Sequence, residues 1–342
     1  MMLSMNAGAA PPPSMSPLAP PPRAFQSSFP APAVPHAAAV VPSFFAPAAR
    51  LPPPPHAMCL QIRPVTAANY AAELDLIAAL LPRYPVVAIY VSPIRDTESS
   101  RGVAIDTEYP GTVHRPPPPG TSGHLAPPER YALVKANADE LPVVQLGITL
   151  SDEFGNVPTA VVVGDGHRRL CELAWEVTFS DFDPRRDRHA PDSVAFLRSR
   201  GVDFDLARAR GVSSAAFAAK LAAVLSSAQQ RRVELTWAAF GGAYDFAYVV
   251  KMLAGGGPLP ATWHEFMAAA RELLSSAGGG GGLRRVAGIL HVQPGSLPAE
   301  PPVCLAGRKS YIACRVFTAM RRRVLYRDGG DCLEGLIDGL HN

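Results

Sequence analysis

The hydrophobic positions of the chain predict helices and strands in alternation from Asn69 onward. Apolar side chains recur every three or four residues in NYAAELDLIAALL, ERYALVKANADEL and SSAAFAAKLAAVLSSAQQ, so each stretch predicts an amphipathic helix. Runs rich in β-branched residues, VVAIYVS, GVAIDTEYPG, PVVQLGITL and AWEVTFSDF, predict strands. This alternation predicts one α/β domain in which a mixed β-sheet is flanked by helices.

The same pattern continues through the second half of the chain. VELTWAAFGGAYDFAYVVKML predicts a buried strand, a glycine turn and a helix. ATWHEFMAAARELLSS, LRRVAGIL and SYIACRVFTAMRRRVL predict three more helices, and glycines 278–282 interrupt the pattern before the last two. Ser213 or Ser214 is the expected N-cap of the helix SSAAFAAKLAAVLSSAQQ, because a serine oxygen accepts a hydrogen bond from a first-turn amide.

Composition changes sharply near Leu60. The first 72 residues contain no acidic residue and three arginines, within proline- and alanine-rich runs such as RLPPPPHAM. Because proline favours extended, solvated chain and these runs have little apolar surface to bury, residues 1–58 are predicted to be a disordered Pro/Ala-rich tail and residues 59–342 a folded domain. Two other interpretations of the tail stay open: an organelle-targeting peptide, which the scarcity of arginine disfavours, and an interaction arm.

Charge and cysteine content narrow the class of protein. The first 72 residues account for three of the 32 basic residues, so the remainder balances the 29 acidic residues and gives no net basic charge for nucleic acid. The five cysteines include no C-x-x-C pair, which argues against a zinc site or disulfide framework and favours a reducing compartment. No apolar run approaches the roughly 18 residues that span a bilayer, so we expect a soluble protein without a membrane partner.

Two carboxylates at the end of the strand-like VAIDTEYPG are candidates for metal binding. Asp106 and Glu108 are two residues apart, which places them on one face of a strand, and paired hard oxygen ligands suit Mg²⁺ or Mn²⁺. Asp245 follows a glycine turn at the start of a predicted helix. For Asp106 and Glu108 the plainer interpretation is a pair of solvated acids before a turn at Pro110. For Asp245 it is an aspartate favoured at a helix N-terminus.

Several segments, taken in order, resemble the CCR-associated factor family, the ribonuclease subunit of the Ccr-Not deadenylation complex. They are VAIDTEYPG, NADELPVVQLGITL, WEVTF, APDSVAFLRSRGVDF, WAAFGGAYDFAYVVKML and LRRVAGIL, and they cover most of residues 60–320. The resemblance implies a ribonuclease-H-like fold and a DEDD-type 3′-5′ exoribonuclease that shortens the poly(A) tails of messenger RNA, with four carboxylates holding two divalent ions. It also implies poly(A) RNA and the scaffold and nuclease subunits of the Ccr-Not complex as partners, and a location in nucleus and cytoplasm.

The chain departs from this family at two site positions. By the resemblance, Asp106, Glu108 and Asp245 match three of the four carboxylates. The family's HQAGSD, which carries a general-base histidine and the fourth aspartate, aligns with CLAGRK, so these positions are Cys304 and Lys309. Lysine reverses the charge beside the ions, and an ordinary thiol is a weak base at neutral pH, so Cys304 also fits a small buried hydrophobe.

Two functions related to the family therefore stay open at the level of sequence, beside a structural or transcription-related interaction protein that would use the Pro-rich tail as its interaction arm. The first is an exoribonuclease of the Ccr-Not complex with weakened catalysis, in which Asp106, Glu108 and Asp245 hold Mg²⁺ or Mn²⁺. The second is a catalytically inactive pseudo-nuclease that serves as a binding or scaffold module.

Overall fold

A computed structural model describes residues 59–90, 110–115, 125–164, 167–239, 242–274 and 305–320. The predicted tail, Asp106, Glu108, Cys304, the helix predicted over LRRVAGIL and glycines 278–282 lie outside these ranges. The elements are β1 Cys59–Val65, α1 Tyr70–Leu80, β2 Val86–Tyr90, α2 Pro127–Glu140, β3 Gln145–Ser151, β4 Thr159–Gly164, β5 His167–Thr178, α3 Pro191–Ser199, α4 Phe204–Arg210, α5 Ser214–Gln230, β6 Thr236–Ala238, α6 Ala243–Leu253, α7 Trp263–Leu274 and α8 Leu305–Met320.

The strands form one mixed sheet, as the sequence predicts. Its order within the described residues is β1-β5-β3-β2-β6, and β4 pairs with the first half of β5. β2 is antiparallel to β3 and parallel to β6, whereas β5 is parallel to β1 and antiparallel to β3 and β4. β1 and β4 are two strands that the hydrophobic pattern did not predict.

Helices cover both faces of this sheet. On one face α1, α2, α5, α6 and α7 enclose the larger core, to which β2 contributes Val87 and Ile89. On the other face α8 packs Cys314 and Phe317 against Ala88 of the same strand. Because side chains alternate along a strand, burial on both faces makes β2 a continuous apolar run, as is typical of a central strand.

The predicted helices that fall in the described residues are confirmed. Ser213 is the N-cap of α5, and its Oγ accepts a 3.2 Å hydrogen bond from the amide of Ala216. α8 begins at Leu305, earlier than the predicted start at Ser310, because its first turn is held against the sheet by contacts that are remote in sequence. None of the described helices is long and apolar enough to cross a membrane.

Candidate functional site

The end of β2 and the starts of α6 and α8, two helices that carry the predicted site residues Asp245 and Lys309, lie at one edge of the sheet. β2 and β6 are parallel, so their carboxyl ends lie at the same edge, and α6 follows β6 directly. The last residue of β2, Tyr90, pairs with Gly147 of β3. The first turn of α8 lies against the same glycine, where a Cβ would be 1.9 Å from the carbonyl oxygen of Ala306. The fold therefore brings the end of β2 and the starts of α6 and α8 together.

Asp245 lies in the first turn of α6 and is fully buried. The N-cap of this helix is Gly242, so Asp245 is not the N-cap residue. A carboxylate in a first helical turn is nevertheless stabilised by the helix dipole. The structure thus places a buried acid at the edge where the resemblance expects a metal ligand, and the dipole interpretation remains compatible with it.

Asp106 and Glu108 precede a short described segment, residues 110–115, that is firmly attached to the domain. The carbonyl of Pro110 accepts a 2.8 Å hydrogen bond from the amide of Ala190. Gly111 has a φ of 87°, and a Cβ there would lie 2.1 Å from the Oγ of Ser193, so only glycine fits.

Asn137 is a site residue that sequence reasoning missed. It is fully buried in α2, and its Oδ1 accepts hydrogen bonds from the amides of Val113 and His114 at 2.8 and 2.9 Å. Its Nδ2 donates to the carbonyl of His114 at 2.8 Å and to the hydroxyl of Tyr244 at 3.2 Å. Since Tyr244 precedes Asp245, Asn137 connects the segment that follows Glu108 to the first turn of α6. An asparagine inside an amphipathic helix was the available signal.

Lys309 lies partly buried in α8, whose first turn is held against the sheet by Glu176 of β5. The amide of Gly307 donates a 3.0 Å hydrogen bond to Glu176 Oε2, and Gln145 Nε2 lies 3.4 Å from its Oε1. Burial raises the pKa of Glu176 to about 7, against the lowering effect of the helix amides. The sequence signal for this second missed residue was a charged side chain in the strand-like WEVTF.

The sequence around Asp106 contains two short repeats. Val-Ala-Ile occurs in β2 and again at residues 103–105, directly before Asp106. Asp-Thr-Glu occurs at residues 96–98 as well as 106–108. The strand predicted over VVAIYVS is confirmed as β2, whereas the strand predicted over VAIDTEYPG lies outside the described residues up to residue 109.

Metal binding by Asp106, Glu108 and Asp245 stays a prediction, because the first two lie outside the described residues. Among the residues that are described, no three His, Cys, Asp or Glu side chains form a cluster that would hold an ion. Cys304 also lies outside them, so its interpretation as a base or a buried hydrophobe is unchanged.

Comparison with known proteins finds relatives that agree with the family resemblance of the sequence. The CAF1 family ribonuclease model matches residues 94–234. Poly(A) ribonuclease pop2 of Schizosaccharomyces pombe is 34% identical over 205 residues, which are 60% of this chain and 51% of the relative. Probable CCR4-associated factor 1 homolog 7 of Arabidopsis thaliana is 33% identical over 197 residues, 57% of this chain and 60% of the relative. The chain thus spans about half to three fifths of the length of these curated relatives.

Solved structures of similar proteins confirm the fold. S. pombe Pop2p in its Mg²⁺- and Mn²⁺-bound form is 26% identical with a TM-score of 0.59, and the match covers 81% of this chain and 99% of that one. The CAF1 structure co-crystallised with the yeast NOT1 MIF4G domain has a TM-score of 0.50 at 19% identity, covering 83% and 98% of the two chains. The ribonuclease-H-like α/β fold implied by the sequence resemblance is therefore confirmed.

Proposed function

We propose that the chain, which resembles the CAF1 family of ribonucleases, is a 3′-5′ exoribonuclease-type protein of the Ccr-Not complex. In this proposal it acts in poly(A)-tail shortening and mRNA decay, with weakened catalysis. The observation that carries the proposal is the meeting of the end of β2, the buried Asp245 and the first turn of α8 at one edge of the sheet.

The acidic residues fit a divalent ion, Mg²⁺ or Mn²⁺. Asp245 is a buried carboxylate at a helix start, and Asp106 and Glu108 supply two more hard oxygen ligands just before the attached segment 110–115. When bound, such an ion polarises the scissile phosphate and assists the attack of water on it. The relative whose structure contains Mg²⁺ and Mn²⁺ supports this choice of ions.

Lys309 opposes the binding of a second ion. A lysine in place of an aspartate changes the local charge by two units, and a charge pair about 4 Å apart is worth roughly 4 kcal/mol at an effective dielectric constant of about 20. Solvent at the partly buried Lys309 screens this effect but does not reverse its sign. We therefore expect low ion occupancy and slow hydrolysis, with the Lys309 ammonium competing for the carboxylates.

Incubation of the purified full chain with 5′-labelled poly(A) in Mg²⁺ and in Mn²⁺ tests the enzyme proposal. We expect slow stepwise shortening from the 3′ end, which Asp106→Ala and Asp245→Asn abolish. Asp96→Ala, in the other Asp-Thr-Glu copy, is the matched control and should leave the rate unchanged. Absence of shortening in both metals would refute catalysis and favour the binding-module function.

Restoring the two family residues gives a sharper test. The double variant Cys304→His and Lys309→Asp should increase the rate of shortening, because it returns a base and a fourth carboxylate. If the variant folds and binds Mn²⁺ but shows no gain, the limiting departure from the family lies at positions other than these two.

A catalytically inactive binding module is the second candidate, and Lys309 is the residue that favours it. A lysine that pairs with the site carboxylates would preserve the fold while excluding the ions. In that case the protein binds poly(A), measured by filter binding, with an affinity that EDTA does not change. Loss of binding in EDTA would contradict this candidate.

We propose the scaffold and nuclease subunits of the Ccr-Not complex as protein partners. The yeast structure in which CAF1 is bound to the NOT1 MIF4G domain supports this choice, since the two chains share a fold. A pull-down with that domain, comparing the full chain with one that starts at Leu60, tests both the partnership and a role for the tail. Nuclear and cytoplasmic location is also proposed, and imaging of a fluorescent fusion tests it.

A further inference from the structure

An apolar stripe on the β4–β5 hairpin is exposed in the described structure. Val161 and Val163 of β4 and Leu170 of β5, named here the hairpin stripe, are 55%, 69% and 50% exposed. Val161 pairs directly with Leu170, and Val163 pairs with Arg168, so all four side chains lie on one face of the hairpin. Scattered exposed hydrophobic residues need no explanation, but three adjacent ones in a strand pair indicate a surface that another segment covers.

This stripe continues the core that α8 covers. Glu172, two residues beyond Leu170 on the same face of β5, accepts hydrogen bonds from Tyr311 and Arg315 of α8. The next residues in the same direction along β5, toward its amino end, belong to the hairpin stripe. α8 points the same way, because the side chain of Thr318 lies against Gly155, at the turn between β3 and β4. The chain therefore leaves α8 beside the uncovered part of the face.

We propose that the hairpin stripe is the docking site of the chain's own C-terminal segment, residues 331–340. Its sequence, DCLEGLIDGL, places Leu333, Leu336, Ile337 and Leu340 at helical spacing, and its three acids fall on the other side of that pattern. About four residues of β5 separate Glu172 from Arg168, roughly 13 Å at 3.3 Å per residue. The residues between Met320 and residue 331 are long enough to cross that distance.

Charge distinguishes this segment from the other occupants. Arg168, exposed at the start of β5, lies on the same face as the hairpin stripe and favours an acidic partner. Residues 331–340 carry three acids and no base, whereas residues 1–58 contain no acid. A second copy of the hairpin would bring its arginines against those of the first, and like charges directly opposite one another are destabilising. The segment 331–340 is thus the occupant whose apolar pattern and charge both match the hairpin stripe.

Photo-crosslinking in the full-length protein tests the proposal. A benzoylphenylalanine replaces Val163, which is 69% exposed and tolerates a new side chain, or Leu206 of α4, which is 47% exposed and serves as the control. Trypsin releases residues 328–342 as one peptide, since this stretch follows Arg327 and contains no lysine or arginine. We expect this peptide to be crosslinked from position 163 at monomer mass, with a yield several-fold above that from position 206.

A charge reversal provides an independent check. Glu334→Arg should lower the crosslink yield from position 163, summed over the peptides 328–334 and 335–342 that trypsin then releases, and addition of Arg168→Glu should restore it. Crosslinks from position 163 to residues 1–58, crosslinks at dimer mass, or a yield equal to that of the Leu206 control would each overturn the proposal.

Discussion

Glu176→Gln is expected to change how the stability of the protein depends on pH. Glu176 is 6% exposed and ties β5 to α8 by accepting the amide of Gly307 at 3.0 Å. Burial disfavours its ionised form and raises its pKa to about 7, from an ordinary value of 4.5. Glutamine retains an oxygen that accepts the same amide but carries no charge at any pH, so the variant isolates the effect of ionisation.

The sign and size of the effect follow from proton linkage. Between pH 4.5 and about 7 the folded state holds the Glu176 proton and the unfolded state releases it. The free energy of unfolding therefore falls as pH rises through this interval and levels off above it. Each pKa unit corresponds to about 1.4 kcal/mol, so the buried charge costs the native protein about 3 kcal/mol at pH 8.

Urea unfolding followed by tryptophan fluorescence, at intervals from pH 4.5 to pH 8, measures this effect, because Trp175 and Trp237 are both buried. The variant should match the native protein within about 1 kcal/mol at pH 4.5 and exceed its stability by about 2–3 kcal/mol at pH 8. Glu153→Gln, at an exposed glutamate, is the control and should give no pH-dependent difference. A constant difference between variant and native protein across the series would refute the reasoning.

Three further substitutions test the attachment of the elements around the site. Gly147→Ala should destabilise the domain by about 1–3 kcal/mol or more, because the new methyl overlaps the Ala306 carbonyl, whereas Gly257→Ala, with nothing within 4 Å, should be near neutral in thermal unfolding. Asn137→Ala should cost at least about 2 kcal/mol by leaving two amides unpaired, and limited proteolysis should then cut at residues 110–115; unchanged resistance would contradict its anchoring role. Ser213→Ala should cost about 1 kcal/mol in urea unfolding by removing the cap of α5, and a loss below about 0.3 kcal/mol would argue against it.

Much of the fold is predictable from the sequence because its signals are local. Apolar spacing predicts α1, α2, α5 and α7, and a serine before an alanine-rich run predicts the cap of α5. The buried strand, glycine turn and helix around Asp245 are likewise visible, and the order of segments indicates the family. These features depend on residues within one or two turns of each other, where propensity and periodicity apply.

The hydrophobic pattern misses two strands for physical reasons. β1 contains Arg63 and Pro64, whose polar and ring side chains interrupt a strand-like run; Arg63 is accommodated by Glu73 of α1, with its Nε 2.7 Å from Oε2. β4 contains three consecutive valines, of which Val161 and Val163 are exposed. The exposure of its side chains alternates along the strand, but the residue type does not, so the sequence shows no alternating pattern. Both strands are defined by pairing with β5, which lies more than a hundred residues from β1 in the chain.

By itself the sequence determines the class of fold, the resemblance to a family of ribonucleases and the residue types at the candidate site, including the lysine at position 309. The tertiary structure places the Val-Ala-Ile of residues 87–89 in the central strand, where its neighbours are β3 and β6. It also decides that Glu176 is buried, which raises its pKa to about 7, and that Asn137 links the segment after Glu108 to the helix of Asp245. These properties arise from contacts between residues distant in sequence, which no local pattern contains.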